Sequence, residues 1–106
     1  MTSQVTVRAE SAADGARVIV CSGEFDIDTS QLLLDACRQV PGEAPVVVDV
    51  GQVSFADSSF LNALVQLRKM RPLTLRGPLP HQFHRLMEVT GALPLFDVRS
   101  PADTTH

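Results

Sequence analysis

The residues best placed to do chemistry are Asp57, Ser58 and Ser59. They lie between an apolar run, Val46-Val47-Val48-Asp49-Val50, and an amphipathic run ending in Leu67-Arg68-Lys69-Met70. A β-branched run, a short connection and an amphipathic run read as a buried strand, a turn and a helix. Asp57 is a good N-cap residue, which sets Ser58 at the first helical position and Ser59 at the second. Backbone N–H groups there lack intrahelical partners and the helix dipole is positive, so that end favours an anion. A phosphate on Ser58 would bring about −1.5 to −2 charges into that setting, which makes the serine a candidate switch. The plainer alternative is a pair of ordinary first-turn serines.

Other chemistries fit less well. No histidine base or oxyanion pair accompanies Ser58 in the sequence, which argues against nucleophilic catalysis. No glycine-rich loop with a lysine marks a nucleotide site. His81 and His84 lie three apart on one helical run, with no Cys or acid converging on them, so solvent or local hydrogen bonds are expected there and not a metal. In Glu24-Phe25-Asp26-Ile27-Asp28, Asp28 with Gln31 fits a capping box, so Asp28 reads mainly as a cap and Asp26 as the better contact for a partner. Phe25 and Ile27 are open between core and partner-facing positions. Asp49 reads as an edge or loop-facing group.

These residues need elements to hold them. The pattern predicts strands over Gln4–Ala9 and Arg17–Ser22, with a turn over Ser11–Gly15 between them and Gly23 closing the second. Leu32, Leu33, Ala36, Cys37 and Val40 give a half-buried first helix that Pro41-Gly42 stops. Pro45 precedes the third strand, Val46–Val50. The second helix runs from Ser58 to about Met70. Phe60, Leu61, Leu64 and Leu67 face the sheet, Ala63 and Val65 lie at the edges, and Gln66, Arg68 and Lys69 are outside. Leu73–Leu75 is a fourth strand, Gly77–Pro80 a breaker, His81–Val89 a third helix with Gly91 at C′, and Leu95–Val98 a last strand. The order β-β-α-β-α-β-α-β implies an α/β fold with a mixed, mostly parallel sheet of about five strands and three main helices. One domain over residues 1–99 and a polar tail over 100–106 account for the chain.

The 106 residues suffice for one domain with a real core. No basic leader and no apolar run long enough for a membrane helix are visible, so a cytoplasmic protein without a membrane partner is expected. In that compartment Cys21 and Cys37 are most simply buried thiols. Net charge is −3, with three Arg and nine acids up to Asp57, then six basic and three acidic residues beyond it. An acidic first half argues against nucleic acid as a partner. Interleaving of strands from both halves would level most of this asymmetry, except near Ser58, where several acids can meet.

Three segments together resemble the STAS-domain anti-sigma factor antagonists of bacteria. Ser22-Gly23-Glu24-Phe25-Asp26-Ile27-Asp28-Thr29 resembles the family's loop before the first helix. Phe55-Ala56-Asp57-Ser58-Ser59-Phe60-Leu61 resembles its Asp-Ser-Ser-Gly box, and Val89-Thr90-Gly91-Ala92-Leu93 with Leu95-Phe96 its closing helix and strand. The resemblance implies a STAS-like single domain without enzymatic activity or cofactor, expected to be a monomer. Its partner would be an anti-sigma factor that is also an ATP-using serine kinase. Unphosphorylated antagonist binds that kinase and frees a sigma factor, phosphorylation of Ser58 ends binding, and a phosphoserine phosphatase resets the cycle. Glu24, Asp26, Asp28, Asp57, Ser59, Phe60 and Asn62 would form the docking face. One departure stands out: the family usually has Gly where this chain has Phe60. That ring can point into the core, as its spacing to Ala63 and Leu64 allows, or outward, where it would alter or block kinase docking. Two other readings remain: a non-phosphorylated STAS subunit of a transporter or other multiprotein assembly, and a small-molecule or nucleotide sensor at the Asp57 helix start.

Overall fold

The computed structural model describes residues 5–11, 15–40, 42 and 44–99. Nine elements follow in order: β1 (Thr6–Ser11), β2 (Arg17–Phe25), α1 (Ser30–Arg38), β3 (Val46–Ala56), α2 (Ser58–Met70), β4 (Leu73–Arg76), α3 (His81–Thr90), a 3₁₀ turn (Leu93–Leu95) and β5 (Asp97–Arg99). They form one five-stranded sheet in the order β1-β2-β3-β4-β5, with β1 antiparallel to β2 and the other pairs parallel. The expected mixed sheet, its three helices and their order are all present.

Alternation along the strands explains the layers. Ile19 and Cys21 of β2, Val46, Val48 and Val50 of β3 and Leu75 of β4 are buried in one core with Leu33 and Cys37 of α1, Phe60, Leu64 and Leu67 of α2 and Phe83 and Met87 of α3. The opposite face carries Asp49, whose Oδ2 accepts from Arg76 Nε at 3.0 Å and Nη2 at 2.8 Å, while Oδ1 accepts the Gly51 N–H at 2.9 Å. Asp49 is thus neither an edge nor a loop group. It sits on a central strand and is satisfied by the neighbouring one. Cys21 and Cys37 are free, buried thiols. Burial, then its neighbours Cys37 and Asp49, pushes the Cys21 thiol up to about 12, and burial pushes Cys37 up to about 11.

Several boundaries differ from the sequence reading. β1 runs on to Ser11, which pairs with Arg17, so the turn starts later; Gln4, Ala12–Asp14, Pro41 and the tail from Ser100 lie outside the described residues. Gly23 does not close β2. It sits inside the strand at φ +103°, where the register to β3 shifts between Val20 and Ser22 and again between Gly23 and Glu24. Glycine absorbs such bulges without ending the pairing. β3 likewise continues past Val50 through the polar stretch Gly51-Gln52, because Val53 and Ala56 return to the core. β4 extends to Arg76, and Pro94 lies in a 3₁₀ turn, which delays the last strand to Asp97–Arg99. In α1 the buried face is Ser30, Leu33 and Cys37, while Leu32 is exposed. In α2, Ala63 is buried and not marginal. Gly91 caps α3 in the left-handed conformation, as expected, although α3 extends to Thr90.

Candidate functional site

The ends of β2 and β3 bring two loops together. Phe25 is in register with Ala56, and the Asp57 N–H donates to the Phe25 carbonyl at 3.2 Å. Residues 26–29 therefore leave the sheet beside the start of α2. Asp57 has extended backbone and caps α2: its Oδ1 accepts the Ser59 N–H at 2.8 Å and the Phe60 N–H at 3.4 Å. Ser58 is exposed at the first position of the helix and Ser59 is half-buried. The cap also changes the electrostatics. One carboxylate already takes two first-turn amides, so a phosphate on Ser58 would share that turn with a like charge. Replacing Asp57 by Ala removes the cap and is expected to cost about 1 kcal/mol. Thermal unfolding should show this as a Tm lower by roughly 4–8 °C.

The loop before α1 is built differently from its sequence pattern. Asp26 Oδ1 accepts the N–H groups of Asp28 and Thr29, both at 3.0 Å, and the Thr29 hydroxyl at 3.0 Å. Thr29 Oγ1 in turn accepts the Asp26 N–H at 2.8 Å. No Asp28–Gln31 capping box forms. Thr29 is the N-cap residue, without a side-chain cap bond, and Gln31 reaches Asp35 at 3.1 Å. Asp26, and not Asp28, thus makes the side-chain bonds that shape the loop, and both carboxylates are exposed. The Thr29 N–H, then its hydroxyl, hold the Asp26 carboxyl below its ordinary value. Its contribution to loop order is present at neutral pH and is lost as pH falls through that lowered value.

Phe60 points inward. It is fully buried, its ring 4.8 Å from Phe25 and 5.6 Å edge-on from Phe83. It belongs to the core and offers no surface to a partner, which corrects its place in the expected docking face. Phe25 is core as well. Ile27 is the opposite case, 75% exposed. Beside it runs a groove of about 240 Å³ between α1 and α2, lined by Ile27, Ser30, Gln31 and Leu34 on one side and Ser59, Asn62, Ala63 and Gln66 on the other. No lining side chain is charged. Asn62 and Ser59 thus meet the α1 loop, and Glu24, exposed, lies in register with the exposed Phe55 at the end of the ladder.

Sequence reasoning missed Gln82. Its Nε2 donates to the Ala56 carbonyl at 2.9 Å and its Oε1 accepts the Ala56 N–H at 3.3 Å. The two residues are 26 apart, and no local pattern signals the pairing. His81 is exposed, and His84 lies 3.4 Å from Glu88 one turn on. Among the described residues no cluster of His, Cys, Asp and Glu could hold a metal ion, and no helix is long and apolar enough to cross a membrane.

The family model described as "Mlab, STAS domain" matches residues 9–93. The chain belongs to the STAS domain family. Among solved structures, this STAS domain is similar to an anti-sigma factor antagonist from Mycobacterium paratuberculosis, with 24% identity, a TM-score of 0.78, and coverage of 91% of this chain and 86% of that one. It is also similar to the anti-sigma factor antagonist SpoIIAA in its unphosphorylated form, with 16% identity, a TM-score of 0.71, and coverage of 92% and 91%. At these identities the likeness establishes a shared fold. No curated protein sequence matches.

Proposed function

We propose that this STAS domain is a non-enzymatic anti-sigma factor antagonist of the partner-switching kind, with Ser58 as its phosphoacceptor. The observation that carries the reading is the exposure of Ser58 on the first turn of α2, beside an acidic loop and an uncharged groove. In the unphosphorylated state the docking face is the surface of Glu24, Asp26, Asp28, Ser59 and Asn62, with exposed Ile27 as its apolar contact. Asp57 acts from beneath as the cap of the helix. The partner is an anti-sigma factor that is itself a serine kinase, and binding it frees a sigma factor. The Ser58 hydroxyl oxygen attacks the γ-phosphorus of the kinase's ATP, ADP leaves, and the hydroxyl proton passes to a base on the kinase. The new dianion meets the Asp57 carboxylate and a desolvated partner surface, and the complex separates. A phosphoserine phosphatase restores the first state. The likeness to two anti-sigma factor antagonists supports this reading, and the inward Phe60 removes the obstacle that an outward ring would have been.

The test uses the wild-type chain as bait in lysate of its source organism. A kinase-type ATPase should be recovered, and with ATP it should place one phosphate, on Ser58. The Ser58→Ala variant should bind the same kinase, take no phosphate and stay bound when ATP is added. Recovery of transporter components in place of a kinase would favour a second reading, a constitutive STAS subunit of a larger assembly. The match of residues 9–93 to the "Mlab, STAS domain" family is the observation on that side.

A further inference from the structure

Ala56 is the residue before the cap of α2, and its backbone raises an accounting problem. Successive peptide groups along a strand face opposite sides. Asp57 turns its N–H toward β2, where Phe25 accepts it. Ala56 therefore turns both its N–H and its C=O the other way. On that side β4 pairs with β3 only from Val46 to Asp49, so no strand reaches Ala56. Ala56 is fully buried, and two unmade backbone bonds there would be costly. The Gln82 carboxamide makes both, with one donor and one acceptor spaced like a peptide group. Gln82 is the second residue of α3, and its neighbour Phe83 packs on Phe60 in the first turn of α2. The first turn of α3 thus grips both flanks of Asp57-Ser58-Ser59, one by its backbone and one by a ring.

We propose that Gln82 is a positioning residue for Ser58: its carboxamide fixes the end of β3 and hence where α2 begins and where the serine hydroxyl stands. The functional half of this proposal rests on Ser58 being the phosphoacceptor; the structural half does not. It makes α3, an element remote in sequence, part of the switch.

Residue-resolved hydrogen exchange on the full chain separates positioning from general stability. The variants are Gln82→Ala and Gln82→Met, the second keeping side-chain length while losing both hydrogen bonds. In both, the amides of Ala56, Ser59 and Phe60, which are hydrogen-bonded in the wild type, are expected to exchange at least about fivefold faster, the factor that goes with roughly 1 kcal/mol of lost hydrogen bonding. Those of Ile19 and Val48 should keep wild-type rates. Equal acceleration at all these positions, or wild-type protection around Ser58 in Gln82→Met, overturns the proposal. The second readout is the rate of phosphate transfer to Ser58 by the kinase that the wild-type chain recovers. It should fall about fivefold or more in both variants, with the KM for ATP unchanged. An unchanged rate despite faster exchange overturns the functional half. If the wild type recovers no kinase, the phosphoacceptor reading fails, and the exchange data still decide whether Gln82 holds the junction.

Discussion

Ser58→Asp is expected to weaken binding of the kinase partner at least tenfold and to leave the fold intact. The substitution adds one negative charge at an exposed first-turn position whose neighbour, Asp57, is already a carboxylate engaged with the Ser59 and Phe60 amides. A stabilising helix-end effect, about 0.3–1 kcal/mol for an exposed group, is shared with that existing charge. Tm should therefore move by only a few degrees. In the proposed complex the same charge would be buried against the kinase, where like-charge or unpaired placement costs several kcal/mol. Each 1.4 kcal/mol is a tenfold loss in affinity. Titration calorimetry against the recovered kinase measures the loss, and circular dichroism checks the fold. Binding as tight as that of the wild type would sink the switch reading.

Phe60→Ala is expected to act in the opposite way, on stability and not on charge. The ring is fully buried and makes two aromatic contacts, with Phe25 and Phe83. Truncating a buried Phe costs about 3–5 kcal/mol, a large part of the roughly 5–15 kcal/mol that holds a domain together. Phe60→Gly, the residue that the resemblance would lead one to expect here, adds about 1 kcal/mol of helix propensity loss. Thermal or denaturant unfolding should show Tm lower by roughly 15 °C or more for Phe60→Ala, and lower still for Phe60→Gly. A drop of only a few degrees would mean that the cluster relaxes around the vacancy. Glycine is thus not a neutral replacement at this position, because the three rings fill one another's space.

Much of this architecture is legible in the residues. The α2 boundaries follow from Asp57, the spacing of Phe60, Leu61, Leu64 and Leu67, and Pro72 beyond Met70. The inward aim of Phe60 was one of two choices that its spacing left open, and packing against Phe25 and Phe83 decides it. What is not legible depends on contacts far apart in sequence. Gly23 reads as a stop, and only its pairing with β3 makes it a bulge. Gly51-Gln52 breaks the alternation, yet β2 holds it in the sheet. Asp28 with Gln31 satisfies the capping-box spacing, but Asp26 accepts the Asp28 N–H that Gln31 would have reached, and Gln31 turns to Asp35. The Gln82 bond to Ala56 bridges two elements that no periodicity connects. On the candidate site, the sequence sets Ser58 on the first turn with Asp57 as its cap and Phe60 toward the sheet, and only the place of Phe60 in the docking face fails, because the ring is fully buried.

The two thiols give this domain an internal clock. Only a thiolate attacks a thiol reagent, and burial pushes Cys21 up to about 12 and Cys37 up to about 11. In the closed domain both are almost wholly protonated at pH 8 and shielded from reagent, whereas an opened chain returns them to ordinary values. Labelling kinetics of the unmodified protein therefore count opening events, one thiol on β2 and one on α1. Separate rates would report α1 lifting from the sheet, and a common rate would report the whole domain opening at once. A partner that grips the α1–α2 groove would slow that clock at Cys37, so its arrival can be timed with the native cysteines and no engineered one.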